Sequence, residues 1–97
     1  MRVAALRVEL HLPSPQSLKE KRAVLRPLIE GIKRLGSFSV AEVDHHDLWQ
    51  RVTIGVAIVA PDGQSLAMQV SNLRRYLERQ LEAEVLDVLI SELEEPE

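Results

Sequence analysis

Apolar residues in this chain recur at two spacings that exchange along its length, every second residue in some stretches and every third or fourth in others. Side chains repeat with period 2 in a strand and 3.6 in a helix, so this exchange dictates the type and order of the elements. Residues 2–12 alternate, with Leu6, Val8, Leu10 and Leu12 on one side and Arg7, Glu9 and His11 on the other, which predicts a strand with one buried face. After the break at PSPQ, the run SLKE is a capping box in which Ser17 accepts from the Glu20 amide and Glu20 reaches back. The helix predicted over 17–35 gathers Leu18, Leu25, Leu28, Ile29, Ile32 and Leu35 on one face. Pro27 lies inside it, where a bend is expected, and Gly36 is expected to close it in a left-handed cap.

Residues 38–44 and 48–60 are β-branched and apolar and are joined by the short polar HHD, the pattern of a hairpin, with Val52, Ile54, Val56 and Ile58 toward the core. PDGQ marks a turn, and Leu66, Val70, Leu73, Leu77 and Leu81 mark a second amphipathic helix with Arg75 and Arg79 outside. EVLDVLISEL predicts a last strand with Leu86, Val88 and Ile90 inward. The order β-α-β-β-α-β closes most simply as an α+β ferredoxin-like sandwich, a four-stranded antiparallel sheet with two helices on one face. Residues 1–97 then form a single domain with a short acidic tail at about 92–97. Arg7, Glu9, Thr53, Gly55, Ala57, Val59, Asp87 and Leu89 fall on the uncovered sheet face. That mixed set suits either plain solvation or self-association, as a homodimer through the open sheet face.

Charge is unevenly placed. The helix over 17–35 holds six basic residues, Lys19, Lys21, Arg22, Arg26, Lys33 and Arg34, against Glu20 and Glu30. Lys19, Arg22, Arg26 and Lys33 recur at spacings that set them along one helix face, able to track phosphates, although such a stripe is also what a solvated face looks like. RNA-recognition domains of this topology stack bases on aromatic residues of the central strands, and here those positions hold Arg7, Glu9, Thr53, Gly55 and Ala57. Nucleic-acid contact is therefore expected through the helices. No cysteine is present, which excludes disulfides and thiolate metal sites and fits a cytoplasmic protein. No apolar run is long enough for a membrane span, so no membrane partner is expected.

The segment DHHDLWQR could be a metal or catalytic site or a structural hairpin. Asp44, His45, His46 and Asp47 offer oxygen and nitrogen ligands, but adjacent residues of a strand point opposite ways and no metalloprotease-like spacing occurs. The structural reading has Asp44 or Asp47 holding the turn backbone, Trp49 mostly buried against the hairpin or the first helix, and Arg51 paired with a carboxylate. With no G-x-S-x-G, P-loop or G-x-G-x-x-G either, no catalytic residue, metal or cofactor is assigned.

From QSLKEKR through DHHDLWQRVTIGVAIV the chain resembles the bacterial YlxP-like family, which shares a domain of unknown function. Ser17, Leu18, Lys19, Lys21, Arg22, Glu42, Asp44, Asp47, Trp49, Gln50 and Arg51 carry the resemblance. His45 and His46 fall at variable positions, and Pro27 and Val52 depart from the pattern. The resemblance implies a small ferredoxin-like protein without an established activity, whose genes often neighbour translation factors and a ribosome-binding factor. The expectation is a non-enzymatic binding module contacting structured RNA or a ribosome or translation assembly through Lys19, Lys21, Arg22, Arg26 and Arg51. Two alternatives stay open: a protein-binding or self-associating module using the open sheet face, and a small metal-dependent enzyme at the 44–47 hairpin.

Overall fold

The computed structural model describes residues 1–94; residues 95–97 of the expected acidic tail lie outside the described residues. Strand β1 (Arg2–His11) is hydrogen-bonded on both sides, antiparallel to β3 (Arg51–Ala60) and to β4 (Glu84–Glu94). Strand β2 (Phe38–Asp44) pairs with the far side of β3, giving the sheet order β2-β3-β1-β4. Helices α1 (Leu18–Lys33) and α2 (Gly63–Glu78) complete the βαββαβ order that the periodicities predict. One face of the sheet and both helices close the core: Leu6, Val8, Leu10, Val52, Ile54, Val56 and Ile58 meet Leu25, Leu28, Ile32, Leu66, Leu73 and Leu77. The first part of the expected tail, Glu92 to Glu94, is the end of β4.

Both helices begin as their sequences dictate. Ser17 Oγ accepts from the Glu20 amide at 3.1 Å and Asp62 Oδ1 from the Ser65 amide at 2.8 Å. The capping box is shifted by one residue, since the Glu20 carboxylate takes the Gln16 amide (3.3 Å). The C-terminal end of α1 differs from expectation. Arg34 is right-handed and no described glycine has a positive φ, so Gly36 is not a left-handed cap. The last amides instead turn back, Arg34 N to Glu30 O (3.2 Å) and Leu35 N to Ile32 O (3.0 Å). α1 runs through Pro27 as one element, with the proline and Ala23 on its exposed side, where water can satisfy the Ala23 carbonyl that Pro27 leaves without an amide.

Four further expectations fail for local reasons. Leu81 is 98 % exposed because α2 stops at Glu78 and the chain has already left the core. In β4 the register against β1 shifts between Glu9 and Leu10, so that Asp87 opposes Glu9 while Val85 opposes Leu10. Leu86 is the extra residue of this bulge: Val85 and Val88 pack on the core and Leu86 is exposed. Ile90 lies across from Leu6 on the helix side, yet at this outer edge it too is exposed. Strand β3 starts at Arg51 rather than 48, because His45 takes φ 61 and Leu48 N closes a turn onto His45 O (3.2 Å), which lengthens the hairpin connection to 45–50.

The two helices meet at Gly31. A Cβ there would overlap the Tyr76 hydroxyl and come within 2.6 Å of its Cζ, and the same hydroxyl donates to Leu28 O at 3.2 Å. Helix propensity alone would make Gly31→Ala stabilising by about 1 kcal/mol. Displacing Tyr76 outweighs that gain, and Gly31→Ala is expected to lose about 1–3 kcal/mol in urea unfolding, the usual cost of overfilling a packed contact.

Candidate functional site

Lys21 was grouped by sequence with the phosphate-tracking cations, and the structure removes it from them. Its side chain is only 3 % exposed. On the α1 surface it sits one turn before Leu25, on the stripe that continues through Leu28 and Ile32 into the core. The ammonium donates to His45 O at 2.7 Å and lies 3.1 Å from Glu42 Oε2, an ion pair without hydrogen-bond geometry at that oxygen. Glu42 occupies the core-facing register of β2, opposite Ile54. A bulge at Val43 then turns the next carboxylate to the other face, where Asp44 opposes Thr53. Two acidic residues two positions apart therefore serve opposite sides of the sheet.

On the open face, Glu9 is the hub. Thr53, fully buried beneath it, donates its hydroxyl to Glu9 Oε2 at 2.6 Å. Arg7 Nε approaches Oε1 at 3.1 Å and its Nη2 continues to Asp44 Oδ2 at 3.3 Å. The His45 ring and the Arg51 guanidinium each stand 3.9 Å from Glu9 Oε2. The Thr53 hydroxyl, and then Arg7, hold the Glu9 carboxyl below its ordinary range despite the opposing effect of burial. The His45 amide, donating to Asp44 Oδ1 at 2.7 Å, lowers Asp44 in the same direction. Arg51 thus pairs with a carboxylate as expected, but on the sheet face opposite α1, which separates it from the helical cations.

The connection 45–50 is fastened along its length. Gln50 Nε2 donates to Pro13 O and Pro15 O, both at 3.1 Å, and Gln50 O accepts from Leu12 N at 2.9 Å, so the loop is tied to the segment that leads into α1. Asp44 fixes the turn backbone; Asp47, expected to share that role, makes no such bond among the described residues. Trp49 is not buried: it is 51 % exposed, beside the exposed Leu48. His46 faces Glu42, its Nε2 3.2 Å from the Glu42 carbonyl, while His45 faces Glu9, so the two rings diverge. Among the described residues no three His, Asp or Glu side chains are grouped as metal ligands.

Three of the five cations singled out for binding do share a surface. Lys19, Arg22 and Arg26 are exposed on one side of α1, and no carboxylate pairs with them among the described residues. Lys33, by contrast, reaches Glu30 at 3.7 Å. Two adjoining shallow grooves run along this side, one of about 400 Å³ bordered by Lys19, Arg22, Ala23, Arg26 and Pro27, the other of about 180 Å³ by Arg22, Leu25, Arg26, Ile29 and Glu30. Among the described residues, no helix is long and apolar enough to cross a membrane.

Residues 3–90 match the model of the family described as Protein of unknown function (DUF503). The chain belongs to this family. It is 41 % identical over 44 residues to the uncharacterized protein YlxP of Bacillus subtilis (strain 168), a match that covers 45 % of this chain and 48 % of that protein, so the chain spans about half the length of the curated relative it matches. Among solved structures it is similar in fold to the structural-genomics protein YJCS, with a TM-score of 0.52 at 12 % identity over 92 % of this chain and 96 % of that one. A dimeric ferredoxin-like protein from an uncultured marine organism aligns with a TM-score of 0.47 at 12 % identity, over 96 % and 94 % of the two chains.

In this DUF503 member the residues that carry the resemblance divide by task. Ser17, Lys21, Glu42, Asp44, Gln50 and Arg51 hold elements together, whereas Lys19, Arg22, Asp47 and Trp49 face outward. The sequence shows the first group only as a motif; the signal of Lys21's burial is its place four residues before Leu25. Glu9 and Thr53 lie on the open face as the alternation predicts, and their hydrogen bond has no signal in the sequence.

Two outcomes follow from these contacts. Lys21→Met leaves Glu42 and the His45 carbonyl without the ammonium and is expected to cost about 3 kcal/mol in urea unfolding, the lower end for breaking a buried pair. Glu9 has a lowered folded-state value, so its stabilisation is present above its ordinary value of 4.5 and disappears as pH falls through the lower folded one. Glu9→Gln should accordingly be about 1 kcal/mol less stable than the parent at neutral pH, with the gap closing in acid, as read by urea unfolding across a pH series.

Proposed function

We propose that this protein is a non-enzymatic, cytoplasmic binding module that docks on structured RNA, such as a ribosome or translation assembly, through the exposed side of α1. One observation carries this reading: Lys19, Arg22 and Arg26 stand in line along a grooved helix side, with no carboxylate partner among the described residues. On the sheet, by contrast, arginines are matched, Arg2 with Glu92, Arg7 with Glu9 and Asp44, and Arg51 with Glu9. Positions three and four residues apart on a helix bring charges onto one side, and phosphates spaced along a backbone meet such a row without requiring a particular base sequence. Sheet-face base stacking is no part of this reading, since that surface carries the Glu9 network.

A second reading has support from the open face, where Val59 and Leu93 are exposed on the half of the sheet away from Glu9 and Leu89 is exposed beside Arg7. A second copy or another protein would cover them by apolar contact.

Binding of structured RNA to the full chain at several salt concentrations separates the two. Three phosphate contacts give a slope of log K against log salt between about −2 and −3, and Arg22→Gln with Arg26→Gln should flatten it to near −1. Partner capture that persists at high salt and after nuclease treatment would move the function to the sheet face.

A further inference from the structure

We infer that Trp49 is a stacking platform for an unpaired base of an RNA whose neighbouring phosphates lie on Lys19 and Arg22, an inference that rests on the α1 reading above. The chain has three aromatic residues. Phe38 is buried in the core and Tyr76 is wedged against Gly31, its hydroxyl bound to Leu28 O. Trp49 alone among them is exposed. A large indole in water is unfavourable unless something covers it, and here the described residues leave about half of it open.

The loop that carries Trp49 is nevertheless held firmly. The Lys21 ammonium fixes the His45 carbonyl, the Leu48 amide closes onto the same carbonyl, and Gln50 is tied at three points to the segment 12–15. That segment leads directly into the N-cap Ser17, so the indole is carried by a loop fastened to the start of α1, the helix that bears Lys19 and Arg22. The one nearby carboxylate on that turn, Glu20, is occupied by the Gln16 amide. An exposed π-face on a loop tied to the start of a helix whose cations have no carboxylate partner among the described residues fits a nucleotide, which offers a base to the first and a phosphate to the second. An acidic peptide would satisfy the cations without using the indole face in the same way. In a duplex the bases already stack on one another, so the preferred ligand is single-stranded or looped.

The single tryptophan makes the test direct. The full chain is titrated with a single-stranded oligoadenylate ribonucleotide, with inorganic polyphosphate, with duplex RNA and with polyglutamate, following tryptophan emission and, by anisotropy of labelled ligand, affinity. Oligoadenylate is expected to quench the emission, polyphosphate to bind without quenching, and duplex to bind more weakly than the single strand. Trp49→Ala should lower oligoadenylate affinity about tenfold and leave polyphosphate affinity unchanged, with Trp49→Phe in between. Its melting curve should match the parent, because the side chain is half exposed. Equal oligoadenylate binding by the parent and Trp49→Ala, with both ligands still dependent on Arg22 and Arg26, would overturn the stacking platform and leave the α1 reading standing. Absence of binding to both oligoadenylate and polyphosphate, or binding indifferent to Arg22 and Arg26, would overturn both. Trp49-dependent binding of polyglutamate as tight as that of oligoadenylate would overturn the assignment to nucleic acid.

Discussion

Lys21 carries an ammonium into a place almost closed to water, and a charge there is tolerated only where partners replace its hydration. Those partners, Glu42 on the edge strand β2 and the backbone carbonyl of His45, belong to the hairpin rather than to the helix. One side chain thereby decides where the β2–β3 connection sits relative to α1. The geometry is restrictive because a carbonyl accepts along limited directions, and His45 holds φ 61 while offering its oxygen to both Lys21 and the Leu48 amide. A left-handed residue with a Cβ is uncommon and persists where its surroundings fix it.

The two bulges extend the same logic across the sheet. Strict alternation would put Glu42 and Asp44 on one face, leaving either Lys21 without its carboxylate or Arg7 with Glu9 alone. The extra residue at Val43 gives each face one acid, and the exposed-side acid then joins Arg7, Glu9 and Thr53. The cluster around Glu9 is a chain of short contacts in which the hydrogen bond from the neutral Thr53 hydroxyl is the largest single cause of the lowered carboxyl, ahead of the hydrogen bond from the more exposed guanidinium beside it. This ordering is physical: a buried donor at 2.6 Å meets little competition from water, whereas a charge open to solvent is screened.

Element order, strand faces and the fold were legible because they depend on periodicity, which twelve or more residues report redundantly. Features set by a single residue were not. A bulge changes the phase of a strand without changing its composition, so Leu86, apolar and in step with Val88, reads as core and is not. Trp49 reads as core for its size, yet the loop is anchored through Gln50 and the Lys21–His45 contact, which frees the indole from any structural task. Lys21 itself was legible in principle. It lies on the helical stripe of Leu25, Leu28 and Ile32, and Glu42 lies on the alternation of Phe38 and Val40, so opposite charges stand on the buried register of two successive elements. Such a pair is the sequence trace of a buried ion pair, whereas a charge on the buried register of one element alone reads as an error of phase.

The cations of α1 divide along the same line. Of the adjacent pair Lys21 and Arg22, one is turned into the protein and one outward, since consecutive helical residues are about 100° apart and Lys21 lies in the middle of the stripe of Leu25, Leu28 and Ile32 while Arg22 falls beyond its edge. Burying Lys21 removes a charge from the surface but locks the hairpin to α1, so the loop that carries the exposed indole is held in one arrangement. Ordering long side chains and loops on association costs about 0.5–1.5 kcal/mol for each that must be immobilised. A loop already fixed by its backbone incurs little of that cost. The buried charge therefore fixes the hairpin backbone, and counting basic residues along the helix overstates the cations on its surface while missing the rigidity that one of them supplies.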